Sequence, residues 1–400
     1  MRIVFITSKL NFRTAGGSIE EFDLMIRTWQ KHGDDLTAIT TFAGQNDIPE
    51  PLPYPVIEEP IPNRSLLQMQ WGIYRLLKKY EDRADFFHLD GHLYLYGAGL
   101  YRRLGGKTPV SAFFNRELIV WPEDRSTLFT ISTPRVGFLK RMKKFARWAL
   151  EKYVGMYLAS AIDVRSFISP QYKELYHAFG MKMGKPSLVI GDPIDLKKIM
   201  RENGIQPDSY GARNGHPGPV RLFFSSRMAA GKGFDMLLAG FAKVKNKNDF
   251  RVILGGSGPE EPYVRAMIND LHLEPYVELL GWVTKDRLFE EYKKADIFIQ
   301  ADWRLEGTSI SLLYALAFGV PSILYGGGLE WVAKDAAIYF TYKDPEDLAR
   351  KIELLGHDAA LRARLSSNCF KRIASEDLDY ERQIGSIREA MEAIRATRPS

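Results

Sequence analysis

Three charged side chains stand just past apolar runs, and their types and spacing could handle a diphosphate. Arg227 and Lys232 lie five residues apart in "SRMAAGKGFD", after the run "VRLFFSS". Two cations fixed on a loop that enters a helix can clamp a diphosphate, and a guanidinium can make a forked contact. The same loop could equally be a solvated basic turn. Glu306 precedes "GTSIS", which opens an apolar helix after the run "ADIFIQA". The first amides of a helix lack intrahelical acceptors, and the positive helix end favours anions. The backbone of Gly307, Thr308, Ser309 and Ile310 is therefore a candidate phosphate cradle, with hydroxyls from Thr308 and Ser309. Glu306 would then accept from hydroxyls of whatever the diphosphate carries; the alternative is that it only caps the helix.

Weaker signals lie past other runs. Gly256, in "GGSGPEEP", follows "FRVILGG"; the glycines do not make a dinucleotide fingerprint and read first as a tight turn. Gly16 and Gly17, in "TAGGSIEEF", precede the first helix. Their amides could meet a phosphate or merely turn the chain. Asp90, His92, Asn115 and Glu117 follow "DFFHLD" and "PVSAFF", where they could orient an acceptor. His88, inside the first of these runs, reads as structural rather than catalytic.

The elements that would carry these residues alternate regularly. "RIVFIT" reads as a buried parallel strand. "SIEEFDLMIRTWQKHG" reads as a helix with Ile19, Phe22, Met25, Ile26 and Trp29 on one stripe and Gly33 as its stop. "DLTAITT", "DFFHLD", "PVSAFF" and "IDVRSFIS" read as further strands, and the proline-rich stretch 49–62 as a surface loop. The polar, glycine-rich and proline-rich stretch 201–220 interrupts the pattern. It then restarts with "VRLFFSS", "FRVILGG", "VELLGW", "ADIFIQA", "PSILYGG" and "AIYFTY". Two doubly wound α/β domains in tandem follow, each with a parallel sheet. The expected boundaries are 1–195, a linker region 196–219, 220–375, and a charged C-terminal helix in 376–400 that packs back toward the first domain.

Composition narrows the class. The chain of 400 residues is 45% hydrophobic and 26% charged, as in ordinary globular proteins. A single cysteine, Cys369, excludes an internal disulfide framework. No Cys and His cluster has metal-ligand spacing, and no nucleic-acid motif occurs, so neither a metal nor a nucleic-acid partner is expected. "MRIVFITS" enters a strand at once without signal-peptide character. Gly307 to Leu329 carry no charge, but Gly319, Pro321 and Gly326–Gly328 suit a helix followed by a buried strand, not a membrane span. Charge is uneven: residues 1–190 hold 26 Lys and Arg against 19 Asp and Glu, about +7 of the total +6, leaving the remainder near −1. A basic half can meet an anionic substrate or surface. In "GFLKRMKKFARWALEKY", residues 137–153, Phe138, Met142, Phe145, Ala149 and Tyr153 recur at helical spacing among Lys140, Arg141, Lys143, Lys144 and Arg147. Two readings stand: a core helix with a solvated basic face, or a helix lying on anionic lipid headgroups.

The ordered set "SRMAAGKGFD", "ILGGSGPEEP", "LLGWV" and "ADIFIQADWRLEGTSISLLYALAFGVPSI" resembles retaining glycosyltransferases of family four, the group 1 type with the GT-B fold. "GGSIEEF" and "DFFHLDGHL" resemble the first domain of that family, so the resemblance covers nearly the whole chain. It implies two Rossmann-like domains with an interdomain cleft. It also implies a nucleoside-diphosphate sugar as co-substrate and a carbohydrate or lipid-linked acceptor, with no metal. Arg227 and Lys232 would hold the diphosphate and Glu306 the sugar hydroxyls. The amides from Gly307 to Ile310 and the Gly256 turn would line the donor site, the backbone near Gly281 and Trp282 would bound the base, and Gly16 and Gly17 would line the cleft opposite. Asp90 and Asn115 are the acceptor-side candidates for catalysis.

Two positions depart from the family pattern. The second Glu of its E-x7-E spacing would fall at 314, where Tyr314 stands, either as a rebuilt ribose contact or as a core aromatic. Asn115 stands where many members carry a His, and the leaving phosphate can itself take the acceptor proton. The expected protein is a cytoplasmic, metal-independent hexosyltransferase of cell-surface glycan synthesis, peripheral on the inner face of the plasma membrane. The alternatives are a degenerate relative acting as a binding subunit, and a nucleotide-sugar enzyme of the same fold such as an epimerase.

Overall fold

A computed structural model describes the chain apart from residues 13–17, 43, 63–64, 116–137, 212–213, 303–306 and 398–400, and the side chains of Ser18, His92 and Lys140. The described residues form two compact units. One holds the chain up to Ile194 with the C-terminal helix; the other holds Asp195–Leu378.

The first unit contains strands β1 (Arg2–Thr7), β2 (Asp35–Thr40), β3 (Val56–Glu58), β4 (Phe86–Asp90), β5 (Val110–Phe114), β6 (Val164–Phe167) and β7 (Ser187–Val189). Its helices are α1 (Ser18–Lys31), α2 (Leu66–Tyr80), α3 (Leu95–Arg103), α4 (Phe138–Leu150), α5 (Met156–Ala159) and α6 (Pro170–Ala178). All strands are parallel, in the order β3-β2-β1-β4-β5-β6-β7. Consecutive residues Ile3, Val4, Phe5 and Ile6 are all buried, so both faces of β1 are covered, as a parallel sheet requires. The α1 stripe read from the sequence is the buried one: Ile19, Phe22, Met25, Ile26 and Trp29 all lie in the core.

The second unit contains α7 (Leu196–Glu202), β8 (Val220–Ser225), α8 (Phe234–Ala242), β9 (Phe250–Gly255), α9 (Glu261–Asp270), β10 (Val277–Gly281), α10 (Lys285–Lys294) and β11 (Ile297–Gln300). It continues with α11 (Ile310–Ala317), β12 (Ser322–Tyr325), α12 (Glu330–Ala333), β13 (Ala337–Phe340), α13 (Pro345–His357) and α14 (Ala359–Ile373). Its six strands are parallel, in the order β10-β9-β8-β11-β12-β13. Helix α15 (Tyr380–Ala396) closes the chain and belongs to the first unit. There the Trp29 indole donates to the Ile384 carbonyl (3.1 Å), and Arg388 pairs with buried Asp34 (2.6 Å).

Three stretches differ from the sequence reading. The proline-rich loop 49–62 contains β3, an edge strand, where prolines are tolerated because only one row of ladder bonds is needed. Pro55 contributes its carbonyl, accepting from Ala38 N–H (2.9 Å). The short edge strand β7 gave no periodic signal. The stretch 196–219 is anchored in the second unit: α7 packs against α11, the Tyr210 hydroxyl donates to the Asp296 carbonyl (2.7 Å), and Asn214 to the Ala359 carbonyl (2.8 Å). The uncharged stretch from Gly307 forms α11 and then β12, and among the described residues no helix is long and apolar enough to cross a membrane.

Candidate functional site

Each sheet reverses its strand order once, at β1/β4 in the first unit and β8/β11 in the second. At such a point the loops leave in opposite directions and open a crevice past the carboxyl ends of the strands. In the second unit the candidates gather there. Arg227, in the loop after β8, is exposed and makes no ion pair among the described residues; Lys232, half-buried, ends the same loop.

The loops after β8, β9, β10 and β11 are locked to one another. Met228 N–H donates to the Ser257 carbonyl (2.9 Å), Glu260 N–H to the Met228 carbonyl (3.0 Å), and Gly256 N–H to the Gly281 carbonyl (2.7 Å). Gly256 has φ +117°, and a Cβ on it would lie 1.8 Å from the Ser226 carbonyl oxygen. Only glycine lets the two loops approach so closely. Gly233, with φ +78°, opens α8 against the end of β11, where a Cβ would meet the Ala301 carbonyl carbon at 2.2 Å. The Gly256 turn is thus a packing device that fixes the loop carrying Arg227.

Ser309 is the N-cap of α11. Its Oγ accepts from Leu312 N–H (3.3 Å) and donates to Gln300 Oε1 at the end of β11 (2.7 Å), while Gln300 Nε2 donates to Asp302. The Ser311 hydroxyl donates to the Ser225 carbonyl (2.8 Å), which pins the first turn of α11 to the end of β8. Trp331 Nε1 holds the Gly307 carbonyl (2.7 Å), and Thr308 is buried. The positive end of α11 is therefore fixed beside the loop of Arg227 and Lys232. Trp282, just past β10, exposes 67% of its surface. Glu306 lies outside the described residues, as do Gly16, Gly17 and Glu117 and the side chain of His92.

Tyr314 is buried in the second turn of α11. Its ring stands edge-on to Phe289 (5.1 Å between centroids, 88°) and 6.2 Å from Tyr292, in a cluster that also includes Phe318. The core-aromatic alternative is thus the one realised by the ring.

At the β1/β4 switch of the first unit, the Thr7 hydroxyl donates to Asp90 Oδ2 (2.9 Å) and Asn115 Nδ2 approaches Asp90 Oδ1 (3.5 Å). Asn115 Oδ1 is buried without a partner among the described residues, and a Cβ on Gly91 (φ +89°) would reach it at 2.9 Å. Sequence reasoning missed two members of this cluster, Glu21 and Asp192. Burial first, then the charges of Asp192, Asp90 and Glu20, hold the Glu21 carboxyl well above the usual carboxylate range, and Glu21 and Asp192 are hydrogen-bonded. Glu21 precedes Met25 by one helical turn, at the edge of the buried stripe, which is the signal that could have found it. His88 is neutral: burial pushes it down to about 3, and it sits between Phe5 and Trp29 with Nδ1 3.1 Å from Ser111 Oγ. It is structural.

Residues 211–372 match the family model of glycosyl transferases group 1. The resemblance to group 1 glycosyltransferases is thus borne out in the unit that carries Arg227 and Lys232. Over the whole chain the fold is GT-B: HepE of Anabaena, solved in complex with UDP, superposes with a TM-score of 0.67 at 16% identity over 98% of this chain and 100% of that one. A putative colanic acid biosynthesis glycosyltransferase, WcaL of Escherichia coli K12, is 28% identical over 209 residues, 48% of this chain and 50% of that protein. An uncharacterized glycosyltransferase of Methanocaldococcus jannaschii is 25% identical over 155 residues, 38% of this chain and 40% of that one. The chain therefore spans half or less of the length of these curated relatives.

Proposed function

We propose that this protein transfers a hexose from a nucleoside-diphosphate sugar to a carbohydrate or lipid-linked acceptor in the synthesis of a cell-surface polysaccharide, with retention of anomeric configuration. The observation that carries the reading is the pairing, at the β8/β11 switch, of the Arg227–Lys232 loop with the amide end of α11, in the segment that matches group 1 glycosyl transferases. The polysaccharide context is supported by the name of WcaL, and a uridine nucleotide by the UDP bound to HepE.

In this mechanism Arg227, Lys232 and the α11 amides neutralise the diphosphate as it leaves, without a metal. Such preorganised donors act most strongly where charge develops. Glu306 binds hydroxyls of the sugar. The acceptor oxygen attacks the anomeric carbon on the face from which the diphosphate departs; the carbon–phosphate-oxygen bond breaks, and the acceptor proton passes to the leaving phosphate. Asp90 and Asn115, with Glu21 beside them, accept from acceptor hydroxyls and orient them.

The test is a thermal-shift panel of nucleoside diphosphates and their sugars, uridine forms first, followed by transfer assays with the ligand that binds. A ligand specific to the native state raises the melting temperature. Arg227→Ala and Lys232→Ala should each lower kcat/KM by roughly 10²–10³-fold. Near-normal turnover in both would refute the site. NMR of the product's anomeric proton decides retention, and turnover that collapses on removal of divalent metal would refute the metal-free mechanism.

A further inference from the structure

Helix α4 corrects one of the two sequence readings. It is not a core helix: Phe138 and Leu139 each expose 76% of their surface, and Met142 and Phe145 about half. The exposed apolar surface continues along the chain through Leu150, Tyr153, Val154 and Tyr157. Between α4 and α5, Glu151–Gly155 form a single π-turn, a feature that often marks functional positions.

Beside this turn lies a groove of about 290 Å³ between α2, α3 and residues 150–158. Leu67, Trp71, Leu100, Leu150, Val154 and Leu158 form its walls. Gln70 also borders it, but both its polar atoms are turned to backbone: Nε2 donates to the Leu93 carbonyl (2.7 Å) and Oε1 accepts from Gly97 N–H (2.6 Å). The walls are therefore mostly hydrocarbon, with the Trp71 indole and the buried Tyr96 and Glu151 also bordering the groove. Gly155 lets the turn pack directly on the Tyr96 ring, which a Cβ there would meet at 2.8 Å.

The rim supplies the second half of the chemistry. Arg141, Lys143, Lys144 and Arg147 are exposed on α4, and Lys152 lies 5.1 Å over the Trp148 ring. The one acid of this stretch, Glu151, is buried, 3.8 Å from Arg147. An occupant that matches an apolar slot and a basic rim is at once a hydrocarbon chain and an anion. Trp71, Trp148, Tyr153 and Tyr157 around it are the residue types that settle at a membrane–water boundary.

We propose that this groove seats one acyl chain of an anionic phospholipid of a bilayer, with α4 lying on the headgroups. The surface belongs to the first unit alone, so the inference does not depend on the transfer reaction.

The test is co-sedimentation of the full chain with phosphatidylcholine vesicles, with and without phosphatidylglycerol, and no nucleotide sugar. Binding should require phosphatidylglycerol and weaken with salt. Lys143→Glu and Lys144→Glu should each weaken it by about fivefold or more. Val154→Glu and Leu67→Glu, at exposed positions that leave the melting temperature unchanged, should weaken it by roughly tenfold or more. Phosphatidylglycerol brominated along the acyl chain should quench tryptophan fluorescence, and Trp71→Phe should remove a large share of that quenching. Absence of vesicle binding, equal binding to neutral vesicles, or quenching unchanged in Trp71→Phe would each overturn the proposal. So would a dimer that Val154→Glu dissociates without any vesicle binding, which would assign the groove to a second copy of the chain.

Discussion

Replacing Tyr314 by Glu would restore the acid that the family pattern places eight residues after Glu306. The structure predicts damage instead of improvement. Tyr314 is 6% exposed and its ring makes edge contacts with Phe289 and Tyr292. Two aromatic contacts are worth about 0.5–1.5 kcal/mol each beyond their buried area. A carboxyl placed in the same aromatic surroundings adds about 1–3 kcal/mol, by the mutational scale for buried polar groups without partners. The expected loss is about 2–6 kcal/mol, a fall of roughly 4–24 °C in melting temperature for a unit of this size. The new carboxyl would have its folded pKa raised by burial. Its penalty should therefore be full near neutral pH and fade as pH falls toward its unfolded value near ~4.3. Thermal unfolding at several pH values, with and without the nucleoside diphosphate that binds the native protein, measures both effects. A variant within ~1 kcal/mol of native stability that also binds nucleotide more tightly would refute the reasoning. Position 314 would then reach the ligand rather than the core.

Three further outcomes follow from the geometry. Gly256→Ala places a methyl group against the Ser226 carbonyl at a φ of +117°, so it should cost about 3 kcal/mol or more and abolish nucleotide-induced stabilisation by displacing the Arg227 loop; a normal thermal shift would contradict this. Arg388→Ala should cost about 1.5–3 kcal/mol in denaturant unfolding, because the Asp34 carboxylate is wholly buried and, among the described residues, would keep only the N-terminal ammonium as partner (2.6 Å); a loss below ~0.5 kcal/mol would show the α15 contact to be dispensable. Glu21→Gln should gain stability relative to the native protein as pH rises. The folded pKa of Glu21 is raised, so its burial is least unfavourable below the unfolded value near ~4.3 and stability falls as pH climbs toward the folded one. Parallel pH profiles for the two proteins would sink that assignment.

Much of the fold was legible in the chain itself. The strands β1, β4, β5, β8 and β9 are built around short apolar runs, and the α1 stripe repeats at helical spacing, because burial on two faces or on one stripe leaves a local pattern. The strands β3 and β7 leave no such pattern, being three residues each at the sheet edges. The candidate site was legible in part. Arg227, Lys232 and Ser309 could be found by looking past each strand, since parallel sheets bring all their carboxyl ends to one side. Glu21 was legible only as an edge position of the α1 stripe; its pairing with Asp192 was not, because the two are far apart in sequence and their chemistry arises from proximity.

Sequence alone determined the longer strands and helices, that the architecture is α/β, and which family motifs stand in order. Tertiary structure decided how the same residue types are used. Tyr314 is a packing ring because α10 brings Phe289 and Tyr292 against it. Gly256 is required because the Ser226 carbonyl lies where its side chain would be. The apolar stripe of α4 faces outward although its spacing is that of a core helix. Periodicity records which residues share a face, but only the assembled unit determines what that face meets.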